Sequence, residues 1–151
     1  MSQIGPGRIG FGGTYNAHPL SLAASKATLE TLFKNDGEAF RRMADLGLNL
    51  KTRLTETFRA AGYHTVVNAV GPMLSIYFTK LRKVSTYRQA LQSDGEKFKR
   101  FRDEMLKHGV YMHPDGLERL SISAVHTERE VDETIIAAEE SLKALRTQII
   151  S

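Results

Sequence analysis

Apolar residues along this chain recur first at the period of a helix, then at the period of a strand, then at the period of a helix again. Leu22, Leu29 and Phe33 stand at helical spacing, and Pro19 suits a first helical turn, where its missing N–H would be unpaired anyway. The spacing predicts a helix over about 18–34, broken by Asn35-Asp36-Gly37. A second, longer amphipathic helix carries Phe40, Met43, Leu50, Leu54 and Phe58 on one stripe and stops at Gly62. The period then shortens to two: His64 to Val70 and Met73 to Thr79 flank Gly71-Pro72 and predict two antiparallel strands. On the second of these, Leu74, Ile76 and Phe78 share one side, so one face of the sheet can bury apolar surface.

Beyond the strands, residues 80–93 predict a basic, mobile connection. A third helix is expected from about Asp94 to His108, with Phe98, Phe101 and Met105 inward and Gly109 ending it. Two more short strands are expected at Val110–Met112 and Leu120–Ser123, on either side of the turn His113-Pro114-Asp115-Gly116. Thr127 with Glu130 three residues on has the capping-box arrangement, and Val131, Ile135, Ala138, Leu142, Leu145 and Ile149 continue a last helix at spacings of three and four. The order predicts a small α+β domain, a short and mainly antiparallel sheet covered by helices. Residues 1–13 stand apart: Gly5, Gly7, Gly10, Gly12 and Gly13 with Pro6 make a looped lead-in rather than a helix.

Composition narrows the class. The chain has 151 residues, 41% hydrophobic and 25% charged, which is room for one globular core. No apolar run approaches the roughly 18 to 20 residues needed to cross a bilayer, and no secretory signal or targeting peptide is evident. With no cysteine, thiolate chemistry and thiolate metal sites are excluded, which fits a cytoplasmic protein. The formal net charge of +4 raises nucleic acid as a partner, but the cations are interleaved with Glu38, Asp45 and Glu56 along the second helix. Only Lys80 to Arg88 is basic without acids, and a solvated face is the preferred reading over a nucleic-acid interface.

Few residues suggest chemistry by type alone. His18, His64, His108, His113 and His126 show no metal-ligand spacing, so no metal site is expected. Ser121 and Ser123 lack a nucleophile-elbow context, and no hydrolase constellation appears. Gly12-Gly13-Thr14 is different, because it precedes a helix. Glycine lets the backbone approach an anion, a threonine hydroxyl and backbone N–H can both donate to it, and a helix amino terminus adds partial positive charge.

Gly13-Thr14 through Asn16, Pro19-Leu20, Ala23-Ala24 and Thr28-Leu29-Glu30 resemble the segment after the catalytic lysine region in class III, pyridoxal-phosphate-dependent aminotransferases. Val67-Asn68-Ala69-Val70-Gly71-Pro72-Met73 resembles their small-domain strand pair, and Phe98 to Phe101, Met105-Leu106 and Gly109-Val110-Tyr111 resemble the next helix and strand. Leu120-Ser121, Ala124, His126-Thr127-Glu128 and Val131 to Thr134 most resemble glutamate-1-semialdehyde 2,1-aminomutase and the transaminases grouped with it. The resemblance runs in order along nearly the whole chain.

That resemblance implies the small C-terminal domain of a fold-type I pyridoxal-phosphate enzyme. Residues 1–17 would be the lead-in with the cofactor-phosphate loop, 18–36 a helix linking large and small domains, and 37–151 the small domain. In the family the Gly-Thr pair binds the cofactor phosphate of the neighbouring subunit across a homodimer, a role that would fall to Gly13 and Thr14. Arg119 stands where some members place an arginine that clamps a substrate carboxylate, for which a planar fork of donors is suited. His18 replaces the Asn that the aminomutases usually have before the proline.

The lysine that holds the cofactor, the acid on its ring nitrogen and the aromatic stacking on the ring lie, in the family, before the Gly-Thr pair. None of the thirteen residues preceding Thr14 is a lysine, and Lys26 and Lys51 fall on predicted helices as surface residues. No residue of this chain is therefore assigned a catalytic role, and no transaminase activity is expected of it alone. The substrate of the whole enzyme would be a small amino acid or amine. A related transaminase acting on a β- or ω-amine is the alternative within the class, and a non-catalytic interaction domain retaining the small-domain fold is the alternative outside it.

Overall fold

The structure, a computed structural model, describes residues 13–150, with side-chain surroundings through Arg146. Two compact units divide the chain between Glu38 and Ala39. The first holds a turn over residues 14–17 and helix α1 (Pro19–Leu32), which begins at its proline and has no buried residue. Helix α2 (Lys34–Ala60) starts abnormally: Asn35, Asp36 and Gly37 take left-handed φ of 52°, 56° and 74°. The break expected from Asn-Asp-Gly is thus a left-handed turn, built from the residue types that tolerate that region best. The Asn35 side chain donates to Glu38 at 2.8 Å within it.

The second unit is built on one core. From Ala39 onward α2 buries Met43, Leu46, Leu50, Leu54 and Phe58, while Phe40, expected on that stripe, is 41% exposed. Strands β1 (Thr65–Val70) and β2 (Met73–Phe78) pair antiparallel across the two-residue Gly71-Pro72 turn, with Val70 opposite Met73. Leu74, Ile76 and Phe78 are buried, as the alternation predicts. Gly47 explains how tightly α2 crosses this hairpin. A Cβ there would lie 2.3 Å from the Gly71 carbonyl oxygen, so only glycine allows the approach.

The basic stretch after β2 departs from the expectation of a mobile connection. Val84 and Ala90 are buried, the Asn68 side chain donates to the Val84 carbonyl at 2.8 Å, and a short helix α3 (Tyr87–Ala90) starts from a Thr86/Gln89 capping box. Helix α4 (Gly95–Lys107) is capped by Asp94 and buries Phe98, Phe101 and Met105. Phe58, Phe78 and Phe101 meet pairwise with ring centroids 5.1–5.7 Å apart, at tilted or edge-on angles that suit their quadrupoles.

The strand expected at Val110–Met112 does not form. Gly109 has φ 83°, and the Val110 N–H turns back to the Met105 carbonyl at 2.9 Å to close α4, so it is unavailable to a ladder. The Met112 carbonyl accepts from Arg102 Nε instead. The strand expected at 120–123 shrinks to β3 (Leu120–Ser121), paired to β2 and completing a sheet of order β1-β2-β3. Helix α5 (Glu128–Ile150) then covers the core with Val131, Ile135, Ala138, Leu142 and Leu145. Ile149, expected on the same stripe, lies outside the described side chains. The result is the expected α+β class, three antiparallel strands among helices.

Candidate functional site

The Gly-Thr turn and the arginine singled out from sequence lie in different units, and each is described in its own. In the first unit the Asn16 N–H donates to the Gly13 carbonyl at 3.0 Å, and the His18 N–H to the Tyr15 carbonyl at 3.2 Å. Gly13 lies so close to the Asn16 side chain that a Cβ would stand 2.9 Å from its Oδ1. Ala17, at φ 61°, swings the chain into α1. His18 occupies the N-cap with no side-chain cap bond, and the first helical bond runs from Leu22 N–H to the His18 carbonyl at 3.0 Å. No backbone bond is made by the N–H of Leu20 or Ser21 among the described residues. The terminus therefore keeps open donors, and Thr14 is exposed in the turn that precedes it; open N–H groups and a free hydroxyl are the donor types an oxyanion requires. Gly12, the first glycine of that motif, lies outside the described residues.

In the second unit Arg119 lies on the rim of a cavity of about 580 Å³. Leu50, Leu54, Leu74, Ile76 and Met105 floor it, and His113, Ser121 and His126 share its rim. Two local structures aim the loop before β3. Asp115 accepts from the Leu117 N–H at 2.9 Å while its own N–H donates to His113 Nδ1 at 3.1 Å. Gly116 lies against the Phe98 ring, where a Cβ would come within 2.8 Å. Arg119 is exposed and makes no hydrogen bond or ion pair among the described residues, so its planar donors are unspent.

Sequence reasoning overlooked how the far rim is braced. His126 Nδ1 accepts from the Ser123 N–H at 2.9 Å, with the Ser123 hydroxyl also 2.9 Å away. That backbone bond assigns the neutral ring proton to Nε2. The Ser-x-x-His spacing was the available signal. Next to it, Glu130 accepts from the Thr127 hydroxyl at 2.6 Å and the Thr127 N–H at 2.7 Å. Those bonds, with Arg129 behind them, hold the Glu130 carboxyl at about 2, well below the ordinary carboxylate value. Half of the capping box expected there forms, Glu130 reaching back to the Thr127 N–H, while Thr127 Oγ1 accepts from the Arg129 N–H rather than from that of Glu130.

The lysines read as surface residues separate slightly. Lys26 is exposed and 3.8 Å from Glu30, whereas Lys51 is half-buried on α2. Among the described residues no three His, Cys, Asp or Glu side chains are placed to hold a metal, and no helix is long and apolar enough to cross a membrane.

No family model matches the chain. Its fold is that of the small, C-terminal domain of pyridoxal-phosphate-dependent aminotransferases: an ω-transaminase from Sphaerobacter thermophilus superposes with a TM-score of 0.79 at 26% identity, over 94% of this chain and 32% of that one. A glutamate-1-semialdehyde aminomutase from Pseudomonas aeruginosa shares the fold, with a TM-score of 0.75 over 93% of this chain and 31% of that one, at 21% identity.

By sequence the chain is homologous to glutamate-1-semialdehyde 2,1-aminomutases. It is 38% identical over 143 residues to the enzyme of Thermus thermophilus, covering 94% of this chain and 33% of the relative. It is 33% identical over 150 residues to that of Pyrobaculum islandicum, covering 99% of this chain and 35% of the relative. The resemblance to the class III aminotransferases, aminomutase-like, therefore holds. The chain spans about a third of the length of these relatives.

Proposed function

We propose that this chain supplies the phosphate loop and small domain of a pyridoxal-phosphate-dependent enzyme of the glutamate-1-semialdehyde aminomutase kind. In this reading residues 1–17 carry the phosphate loop, 18–36 the linking helix and 37–151 the small domain. The observation that carries it is the uncapped start of α1 together with an exposed Thr14 in the turn before it, in a chain 38% identical to an aminomutase. Gly13 and Thr14 take the cofactor phosphate of the neighbouring subunit in a homodimer, and the open N–H groups of Leu20 and Ser21 lend their partial charge to the same anion. When bound, pyridoxal phosphate supplies the carbonyl and electron-withdrawing ring that amino-group transfer needs.

Arg119 holds a substrate carboxylate with its two parallel N–H donors at the mouth of the cavity, and the apolar floor beneath keeps water from competing for it. The His126 ring, fixed by Ser123, presents Nε2–H as a further donor on that rim. The substrate is a small amino acid or amine. A transaminase acting on a β- or ω-amine is the second reading, favoured by the unspent guanidinium of Arg119 and by the fold likeness to the ω-transaminase.

Titrating the purified chain with pyridoxal phosphate, before and after borohydride reduction, tests the assignment. We expect weak binding that Thr14→Ala reduces, no reducible adduct on a single lysine, and no transaminase turnover by the chain alone. A specific reducible adduct would give this chain its own cofactor lysine and overturn the division of labour proposed here.

A further inference from the structure

The end of α2 is closed by Gly62 at φ 76°, where the Gly62 N–H returns to the Arg59 carbonyl and the Tyr63 N–H to the Phe58 carbonyl, both at 2.9 Å. That closure delivers Tyr63 and His64 to the start of β1. The Thr79 N–H bonds the His64 carbonyl at 3.1 Å and the Asp94 N–H bonds the Phe78 carbonyl at 2.8 Å, which sets Lys80 and the first turn of α4 alongside. From α5, Arg146 donates to the Ala61 carbonyl. These segments enclose a basin of about 600 Å³, separate in its lining from the cavity beneath Arg119.

Its charge is one-sided. Lys80, Lys97 and Arg146 line it with His64, and Asp94 is the one carboxylate among its described lining residues. Asp94 is already engaged: it accepts from the Lys97 N–H at 2.9 Å and pairs with the Lys97 ammonium at 3.0 Å. The Lys97 N–H, foremost, keeps that carboxyl below the ordinary range, so it stays charged and committed to Lys97. Lys80 and Arg146 remain without a carboxylate partner among the described residues, and converging like charges favour a counter-ion. The Tyr63 ring, held edge-on against Phe78 at 6.0 Å, forms part of the basin's wall.

We infer that this basin, bounded by Tyr63, His64, Lys80, Lys97 and Arg146, binds a small phosphate-bearing anion, at a place distinct from the Gly13-Thr14 turn. Ammonium groups suit phosphate as compact point charges, and the volume exceeds what a bare phosphate fills, leaving room for an organic remainder.

The test is a titration of the isotope-labelled chain with inorganic phosphate, followed by amide resonances, with sodium chloride at matched ionic strength as reference and glycerol 3-phosphate in parallel. Saturable shifts are expected at Tyr63, His64, Lys80 and Lys97. Lys80→Ala, at an exposed side chain, should weaken the apparent affinity about fivefold or more, the scale of one charge-assisted hydrogen bond. Thr14→Ala should leave it unchanged. Tighter binding of glycerol 3-phosphate than of phosphate assigns the basin to a phosphorylated organic molecule; equal binding assigns it to the free ion. Shifts that chloride reproduces, an affinity untouched by Lys80→Ala, or shifts lost in Thr14→Ala would each overturn the inference.

Discussion

Helices α1 and α2 are both long enough to be ordinary globular helices, yet their apolar residues meet opposite fates. In α1, Leu20, Leu22 and Leu29 are 74%, 56% and 51% exposed, and no residue is buried. In α2, Leu46, Leu50, Leu54 and Phe58 are all 7% exposed or less. Proline at the first position and good helix formers after it favour α1 as a helix, but nothing in its own unit rewards its leucines. Within its own unit α1 buries none of its apolar residues, whereas α2 spends its apolar stripe in the core of the second unit.

The largest effect should come from cutting the core that α2 shares with α4 and the sheet. Phe101 is fully buried and meets both Phe58 and Phe78, so Phe101→Ala should cost about 3–5 kcal/mol, read as a fall in the urea midpoint. A next, smaller effect probes backbone approach rather than side-chain volume. Gly47→Ala puts a methyl group onto the Gly71 carbonyl and should cost about 1–3 kcal/mol, as other overpacked sites do. Gly95→Ala is the matched control: nothing lies within 4 Å of its Cβ, and the change should stay within about 0.5 kcal/mol. Equal effects at the two glycines would remove the packing explanation.

Smaller again is the cap of α5, which should show in pH dependence. The folded Glu130 carboxyl titrates at about 2 against an ordinary 4.5, because Thr127 donates to it from both hydroxyl and N–H. A lowered folded pKa means the contribution is complete above about 4.5 and is lost as pH falls toward 2. Urea midpoints of the wild type and Glu130→Gln should therefore differ at neutral pH and converge across that interval. A gap that persists at pH 2.5 would place its origin elsewhere.

Much of this was legible in the sequence because the signals were local. The period-two run from Met73 to Phe78, the Thr127/Glu130 spacing and the Asn35-Asp36-Gly37 break each specify structure from neighbouring residues. What escaped depends on partners distant in the chain. Val110 to Met112 has strand composition, but the Val110 N–H was claimed by the end of α4 and the Met112 carbonyl by Arg102. Val84 is buried because Asn68, sixteen residues earlier, holds its carbonyl, and Gly47 matters only because Gly71 crosses it. At the candidate site the residue types of Gly13, Thr14 and Arg119 were readable, but the uncapped helix start and the cavity beneath Arg119 are properties of the fold.

The smallest expected effect on stability carries the sharpest form of the opening contrast. Leu22 and Leu29 lie on α1 with more than half of their surface open, so their replacement by serine removes little that the folded chain had buried. The double variant should shift the urea midpoint of the second unit by no more than about 0.5 kcal/mol equivalent, as surface substitutions do. The same replacement of Leu50 and Leu54 should abolish cooperative unfolding, since both are core residues. If the leucines of α1 are addressed to another surface, their loss should instead lower self-association, read by sedimentation at increasing protein concentration. A large fall in the midpoint from the α1 variant would mean that its helix is held by this chain's own core, and the distinction between the two helices would collapse.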